Sequence, residues 1–155
     1  MVDAADVYAR LAELGLQIPP VVPPVAAYVP AVQTGNHVYV SGQVPLADGK
    51  LLAEGLVGAD VTAERAKEAA RQCGINALAA VEGLVGLGRV VRVVKIVGFV
   101  ASAPGFTGQP GVINGASELF GEVFGDAGKH ARSAVGVAAL PLNAPVEVEA
   151  IFEIA

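Results

Sequence analysis

The chain of 155 residues holds one cysteine, one methionine, two histidines and no tryptophan, and charged residues make up only 16% of it. Each scarcity removes a class of function. A lone Cys73 permits no internal disulfide, so the fold must be held by packing. His37 and His130 lie far apart, with no second cysteine and no acidic cluster, so no metal-ligand spacing exists and no metal site is expected. No Gly-x-Ser-x-Gly elbow offers a serine nucleophile. Every long apolar run is broken by glycine, proline or charge before about 18 residues, which excludes a membrane-spanning helix. The opening Met1-Val2-Asp3-Ala4-Ala5-Asp6 carries acids where a secretory leader needs basic residues, so a soluble, cytoplasmic protein is expected. Net charge is −5 with the basic residues scattered, which disfavours nucleic acid as a partner.

Apolar residues, by contrast, reach 54%. A chain of this length makes one domain, and a domain so small has too little interior to hide that much apolar side chain. Burial between subunits is the expected remedy, so a homo-oligomer is expected.

In chain order, Asp3 to Leu16 reads as an amphipathic helix with Val7, Leu11 and Leu14 on one face, followed by a proline-rich extended segment to Pro24. Tyr28 to Gln33 and His37 to Ser41 read as a hairpin around Thr34-Gly35-Asn36. Asp60 or Thr62 can cap a long helix to about Val85, whose stripe Ala66, Ala70, Cys73, Ala77 and Leu84 predicts close contact with a sheet. Cys73 on that stripe reads as a core residue. Gly83, Gly86 and Gly88 follow a helix instead of opening one, so they are a stop signal and no dinucleotide fingerprint.

Arg89 to Val100 is almost continuously apolar and reads as a central strand buried on both sides. If helices cover only one of its faces, another subunit must cover the other. Ala101 to Pro110 reads as a long functional loop with Phe106 as either a pocket wall or an anchor. A second helix, Val112 to Phe124, and two strands, Arg132 to Ala139 and Val146 to Ile154, complete the pattern. Strands and helices in this order, packed about one sheet, predict an α+β sandwich.

Two residues look chemical. Arg132 opens a strand in a chain poor in charge, and a guanidinium matches a carboxylate with two parallel hydrogen bonds; a structural salt bridge or an exposed strand end is the alternative. Glu147, at the start of the last strand, can activate a water if it sits in a pocket. Glu149 and Glu153 read as a solvated outer face. Gly42 either lets a ligand approach the backbone or marks a bulge.

Five motifs together resemble the RidA/YjgF family of reactive-intermediate deaminases. They are Tyr28-Val29-Pro30-Ala31-Val32, Thr34-Gly35-Asn36, Val40-Ser41-Gly42-Gln43-Val44-Pro45, Ala131-Arg132-Ser133-Ala134-Val135-Gly136-Val137 and Val146-Glu147-Val148-Glu149-Ala150-Ile151. The likeness covers residues 25–155 and leaves 1–24, the helix and proline-rich linker, as an addition. It implies a chorismate-mutase-like α+β fold, with a mixed sheet and two helices on one face, assembled as a homotrimer with clefts between subunits. It further implies cofactor-free hydrolysis of 2-imino acids to 2-keto acids and ammonia.

Carried over by motif, Arg132 would clamp the substrate carboxylate, and Glu147 would position or activate the water. The backbone around Ala134, next to Ser133, would help to hold that water. Tyr28, Ser41, Gly42 and Asn114 would line the cleft, some from the neighbouring subunit; Phe106, on the long loop that should border the cleft, joins the expected substrate-binding residues if it is a pocket wall. The pattern departs from the deaminase branch in Ala134, where cysteine is frequent, and in the long loop. A carboxylate-binding or chaperone-like trimer without turnover is the second expectation; the ribonuclease or translation-inhibitor role described for some relatives ranks last.

Overall fold

The computed structural model describes residues 3–24 and 26–155. Its helices are α1 (Ala4–Glu13), α2 (Ala63–Leu84) and α3 (Gln109–Phe124). Its strands are β1 (Ala31–Thr34), β2 (His37–Gln43), β3 (Leu46–Ala47), β4 (Lys50–Leu51), β5 (Val90–Ala101), β6 (Ala131–Val137) and β7 (Val146–Ile154). Five strands form one sheet in the order β1-β2-β7-β5-β6, with β5 and β6 parallel and the other neighbours antiparallel. β3 and β4 make a separate small hairpin.

The long helix starts where a cap can satisfy its free N–H groups. Thr62 accepts from the Arg65 amide at 3.1 Å, whereas Asp60 accepts from the Leu56 amide outside the helix. Ala66, Ala70, Cys73 and Ala77 are fully buried, and these short side chains let α2 lie close to the sheet. α3 lies beside α2 on the same sheet face, and Gly115 makes their contact possible: a Cβ there would run into the Lys67 carbonyl. Gly98 on β5 likewise leaves space for Ile113 of α3. Phe120, Phe124 and Phe152 pack edge to face at the end of this core.

α1 is capped by Asp3 and ends before Gly15, whose φ of +66° suits a residue without a side chain. Its Val7 and Leu11 enter the same core cluster as Phe120 and Phe152. The division expected after residue 24 falls beside Val25, which lies outside the described residues, as do Met1 and Val2.

β5 is an interior strand as expected, paired with β7 on one edge and with the parallel β6 on the other, and β7 takes the middle of the five. Several sequence expectations need correction. β5 is closed on one side only: Val90, Val93, Ile96 and Val100 are buried, while Val91, Val97 and Phe99 stay partly open and Arg92 and Lys95 face solvent. The helices cover one sheet face and nothing in the described chain covers the other. The first strand begins at Ala31 instead of Tyr28, because Pro30 has no N–H and offers only its carbonyl, which accepts from Ser41 N. The long loop shrinks to residues 102–108. β5 continues to Ala101, and Pro110 belongs to the first turn of α3, where its missing N–H costs nothing. No helix among the described residues is long and apolar enough to cross a membrane.

Candidate functional site

The structure sorts the candidate residues into two groups. The first surrounds Arg132 at the outer strand. Strand alternation turns Arg132, which pairs with buried Ile96, toward α3. There its Nη1 donates to Asn114 Oδ1 at 2.8 Å and to Ser117 Oγ at 3.2 Å. Asn114 and Ser117 stand three apart on one helix face, which is why both reach the same nitrogen. The two Nη1 hydrogens are then committed. Among the described residues no acceptor meets Nε or Nη2, so a side-on pair of N–H donors remains for a planar anion. No carboxylate pairs with Arg132 among the described ion pairs, which decides against the structural salt bridge.

The second group lies at the β2-β7 junction. The β2-β7 register slips between Val40 and Gln43, and Gly42 sits inside that bulge. A Cβ on Gly42 would overlap the Glu147 carboxylate, so the glycine is what allows Glu147 to stand against the β2 backbone. Tyr28, Gly42 and Glu147 share a small cleft of about 80 Å³, closed by Pro24, Gln43 and Leu142. Leu142 holds a left-handed φ of +61° and is 54% exposed at the cleft's edge, an uncommon posture for a bulky apolar residue. Ser41 does not enter this cleft. Its hydroxyl donates to the Val29 carbonyl at 2.6 Å and so ties down the segment that carries Tyr28.

Glu147 is half-buried, and that burial, with the Glu149 charge nearby, raises its carboxyl pKa above the usual value. A carboxyl raised in the folded state adds stability below its unfolded value that is lost as pH rises through the folded one. Glu147→Gln is therefore expected to raise the melting temperature at pH 7, with the two proteins converging near pH ~4 where both side chains are neutral. Scanning calorimetry at the two pH values checks this. A Glu147→Gln protein no more stable than its parent at pH 7 would contradict the stated burial cost. Cys73, on the far side of the sheet, has its thiol pushed well up by complete burial and then by the Glu147 charge, so it is an inert core residue as expected.

The two groups do not meet within one chain. Glu147 and Val135 both pair with Phe99, on its two sides, and Arg132 lies three residues back along β6 with its side chain on the opposite face. Two strand spacings and three residue rises put their Cα atoms on the order of 14 Å apart. Ser133 is exposed and points to the uncovered sheet face, while Ala134 turns back and packs on the core against Gly98. Phe106 belongs to neither group. It lies under Gly58 and Gly108 and packs on the core, so of its two expected roles it is the anchor.

Sequence reasoning missed Ser117 and His130 as neighbours of Arg132. His130 Nε2 lies 3.0 Å from Ser117 Oγ. The signal was spacing alone: His130 precedes Arg132 by two, as strand neighbours on one face do, and Ser117 follows Asn114 by three. Among the described residues no cluster of His, Cys, Asp and Glu could hold a metal ion.

The uncovered sheet face carries an apolar patch among charged residues. Val32, Tyr39, Val97 and Ile151 line a shallow groove on it of about 300 Å³, flanked by Lys95 and Glu149, and Val32, Tyr39 and Val135 are each more than two-fifths exposed. Patches of this kind mark surfaces that meet another macromolecule.

Comparison with known proteins agrees with this architecture. The model of the family described as "YjgF/chorismate_mutase-like, putative endoribonuclease" matches residues 8–154. Protein TCP17 of Trypanosoma cruzi is 43% identical over 99% of this chain and 98% of its own length. A 2-iminobutanoate/2-iminopropanoate deaminase of Dermatophagoides farinae is 34% identical over 84% of this chain and 88% of its own. A crystal structure of an Agrobacterium tumefaciens protein of unknown function superposes with a TM-score of 0.91 at 47% identity, covering 98% of this chain and 94% of that one. With the family match spanning α1 through β7, the chain belongs to the YjgF/RidA family.

Proposed function

We propose that the protein hydrolyses small 2-imino acids to 2-keto acids and ammonia, at clefts completed by neighbouring copies of the chain. The observation that carries this is the Arg132 guanidinium, with Nη1 fixed by Asn114 and Ser117 and its Nε–Nη2 edge free for a carboxylate. A relative bearing the name of an imine deaminase supports the same chemistry.

The reaction asks little of the protein. A protonated imine is already electrophilic, so it needs orientation and one water rather than a covalent nucleophile or a cofactor. Arg132 holds the carboxylate. Glu147 takes a proton from water as the oxygen adds to the imine carbon, giving a carbinolamine. The same carboxyl returns that proton to the nitrogen; the carboxylate then takes the hydroxyl proton as the C–N bond breaks, so the keto group is left and the nitrogen departs with that proton as ammonium. A carboxyl with a raised pKa suits these transfers.

The distance between Arg132 and Glu147 calls for a second copy, and the apolar patch on the open sheet face gives that copy a place to bind. An interface joining one patch to a different one closes into a ring when its rotation divides a full turn, and a homotrimer is the ring proposed. The reading also carries a cytoplasmic setting. Tyr28 and the Gly42 backbone flank the substrate on the Glu147 side.

Mixing two inactive variants tests this. Arg132→Ala and Glu147→Gln should each lose turnover of enzymatically generated 2-aminoacrylate, and co-refolding them one to one should restore about a quarter of the clefts. A sedimentation mass of one chain, or no recovery on mixing, would overturn the shared site. If Glu147→Gln alone keeps every measurable function, the protein binds carboxylates without turning them over.

A further inference from the structure

The relay behind Arg132 has a direction that the donors and acceptors fix. His130 Nδ1 lies 2.7 Å from the Gly128 carbonyl, which can only accept, so Nδ1 carries a hydrogen. In the neutral ring Nε2 is then a lone pair, and the Ser117 hydroxyl donates to it at 3.0 Å. With its hydrogen spent there, Ser117 Oγ accepts from Arg132 Nη1 at 3.2 Å. Each donor is used once, from the guanidinium through the hydroxyl to the imidazole and on to the backbone. We propose that Ser117 and His130 are positioning residues for the carboxylate anchor, and that neutral His130 is the state in which the Arg132 fork is set. This rests on Arg132 being the carboxylate anchor proposed above.

Protonating His130 breaks the direction. Nε2 gains a hydrogen, Ser117 can no longer donate to it, and two cations face one hydroxyl oxygen. Burial already favours the neutral ring, the Gly128 carbonyl opposes that shift, and the Arg132 charge adds to it. Below the usual imidazole value of about 6.5 the relay is therefore expected to fail as the ring takes up its proton.

The charged groups around His130 are few. Arg132 faces it from β6, and Lys129 precedes it in the turn, ion-paired with Asp126. Arg92 of β5, His37 of β2 and Glu153 of β7 line the same surface depression. Of these His37 alone is a second imidazole. Glu147 lies on the other sheet face.

The experiment measures binding of 2-oxobutanoate by calorimetry from pH 5 to 8, in the full-length Glu147→Gln protein so that the general base does not titrate. Affinity is expected to fall as pH drops below that of the neutral ring. Ser117→Ala should bind about tenfold more weakly at pH 7.5, as loss of one hydrogen bond to a charged group implies. His130→Gln places an amide oxygen near the Nε2 position, so it should keep parent affinity at pH 7.5 and lose the acid fall. His37→Asn should leave the fall intact.

Affinity independent of pH in the parent, or parent affinity in Ser117→Ala, overturns the relay. If Arg132→Ala also binds as its parent does, or the parent binds nothing, the anchor reading fails and takes the relay with it. Should a variant not fold, ring nitrogen chemical shifts in the unmutated protein decide: the Nδ1-protonated tautomer is expected, and the Nε2-protonated one overturns the proposal.

Discussion

Gly115→Ala is expected to lower the unfolding free energy by about 2 kcal/mol, while Gly121→Ala, six residues further along the same helix, raises it by ~1 kcal/mol. Both changes add one methyl group to α3 and both gain the same helix propensity. The difference lies in what the methyl meets. At Gly121 nothing stands within 4 Å. At Gly115 the new Cβ runs into the Lys67 carbonyl and comes within 3.0 Å of the Arg71 amide, which are backbone atoms of α2 and cannot rotate away. The helices would have to separate, and overpacking of this kind typically costs 1–3 kcal/mol. Because that cost opposes a propensity gain, the larger Gly115→Val change should lose the cooperative transition altogether. Urea midpoints for the three variants and the parent measure the series. Equal midpoints for Gly115→Ala and Gly121→Ala would mean that α2 and α3 do not touch as described. The strain also has a functional reading, because Gly115 stands between Asn114 and Ser117, the two residues that hold Arg132.

What the sequence disclosed follows the range of each signal. The α2 stripe from Ala66 to Ala77, its Thr62 cap and the strict alternation of β7 are local patterns that survive in the fold, whereas Leu84, also expected on the stripe, is exposed at the helix end. The position of β5 does not follow from β5 itself. A continuous apolar run says that a strand is covered, but the strand order depends on where the α3 crossover lands, and that is a global property. The reading of β5 as buried on both sides overlooked that Arg92 and Lys95, spaced by three, fall to solvent on the open side with a bulge between them. Phe106 was placed beside the site for a similar reason. Gly and Pro between Ala101 and Pro110 looked like loop throughout, although Pro110 was the signature of a helix start.

The site itself was legible in part. Arg132 stood out by rarity and was made specific by the company of Gly42 and Glu147 in motifs of one family. Gly42 was ambiguous between bulge and ligand approach, and the structure makes it both a bulge and the space that Glu147 occupies. What stayed hidden was the separation of Arg132 from Glu147, since side-chain facing on two strands emerges only from their common neighbour, Phe99. Ser117 and His130 are ordinary residue types at ordinary spacings, and only the 3.2 and 3.0 Å contacts of the folded chain bring them together with Arg132.

The second large effect is expected at Arg132 itself, where even lysine should lose most of the activity. The guanidinium uses one nitrogen to bond Asn114 and Ser117 and keeps an edge of two parallel donors for the substrate. An ammonium group has one nitrogen for both tasks: if it stays with Asn114 and Ser117 it leaves the carboxylate, and if it follows the carboxylate it leaves two polar groups without their donor. Hydrogen bonds to a charged partner contribute about 1.5–3 kcal/mol each, so losing both substrate bonds in Arg132→Ala should lower kcat/KM by roughly a thousandfold. Arg132→Lys keeps the charge and one bond, and should lose about a hundredfold. The loss should appear in KM as well as kcat, because the carboxylate is present in the ground state and its clamp also aims the imine at the water held by Glu147. Initial rates with a short imino acid over a range of concentrations separate the two constants. Were lysine to work within a few-fold of arginine, attraction between opposite charges would suffice, and the two-pronged geometry set by Asn114 and Ser117 would have no part in holding the substrate.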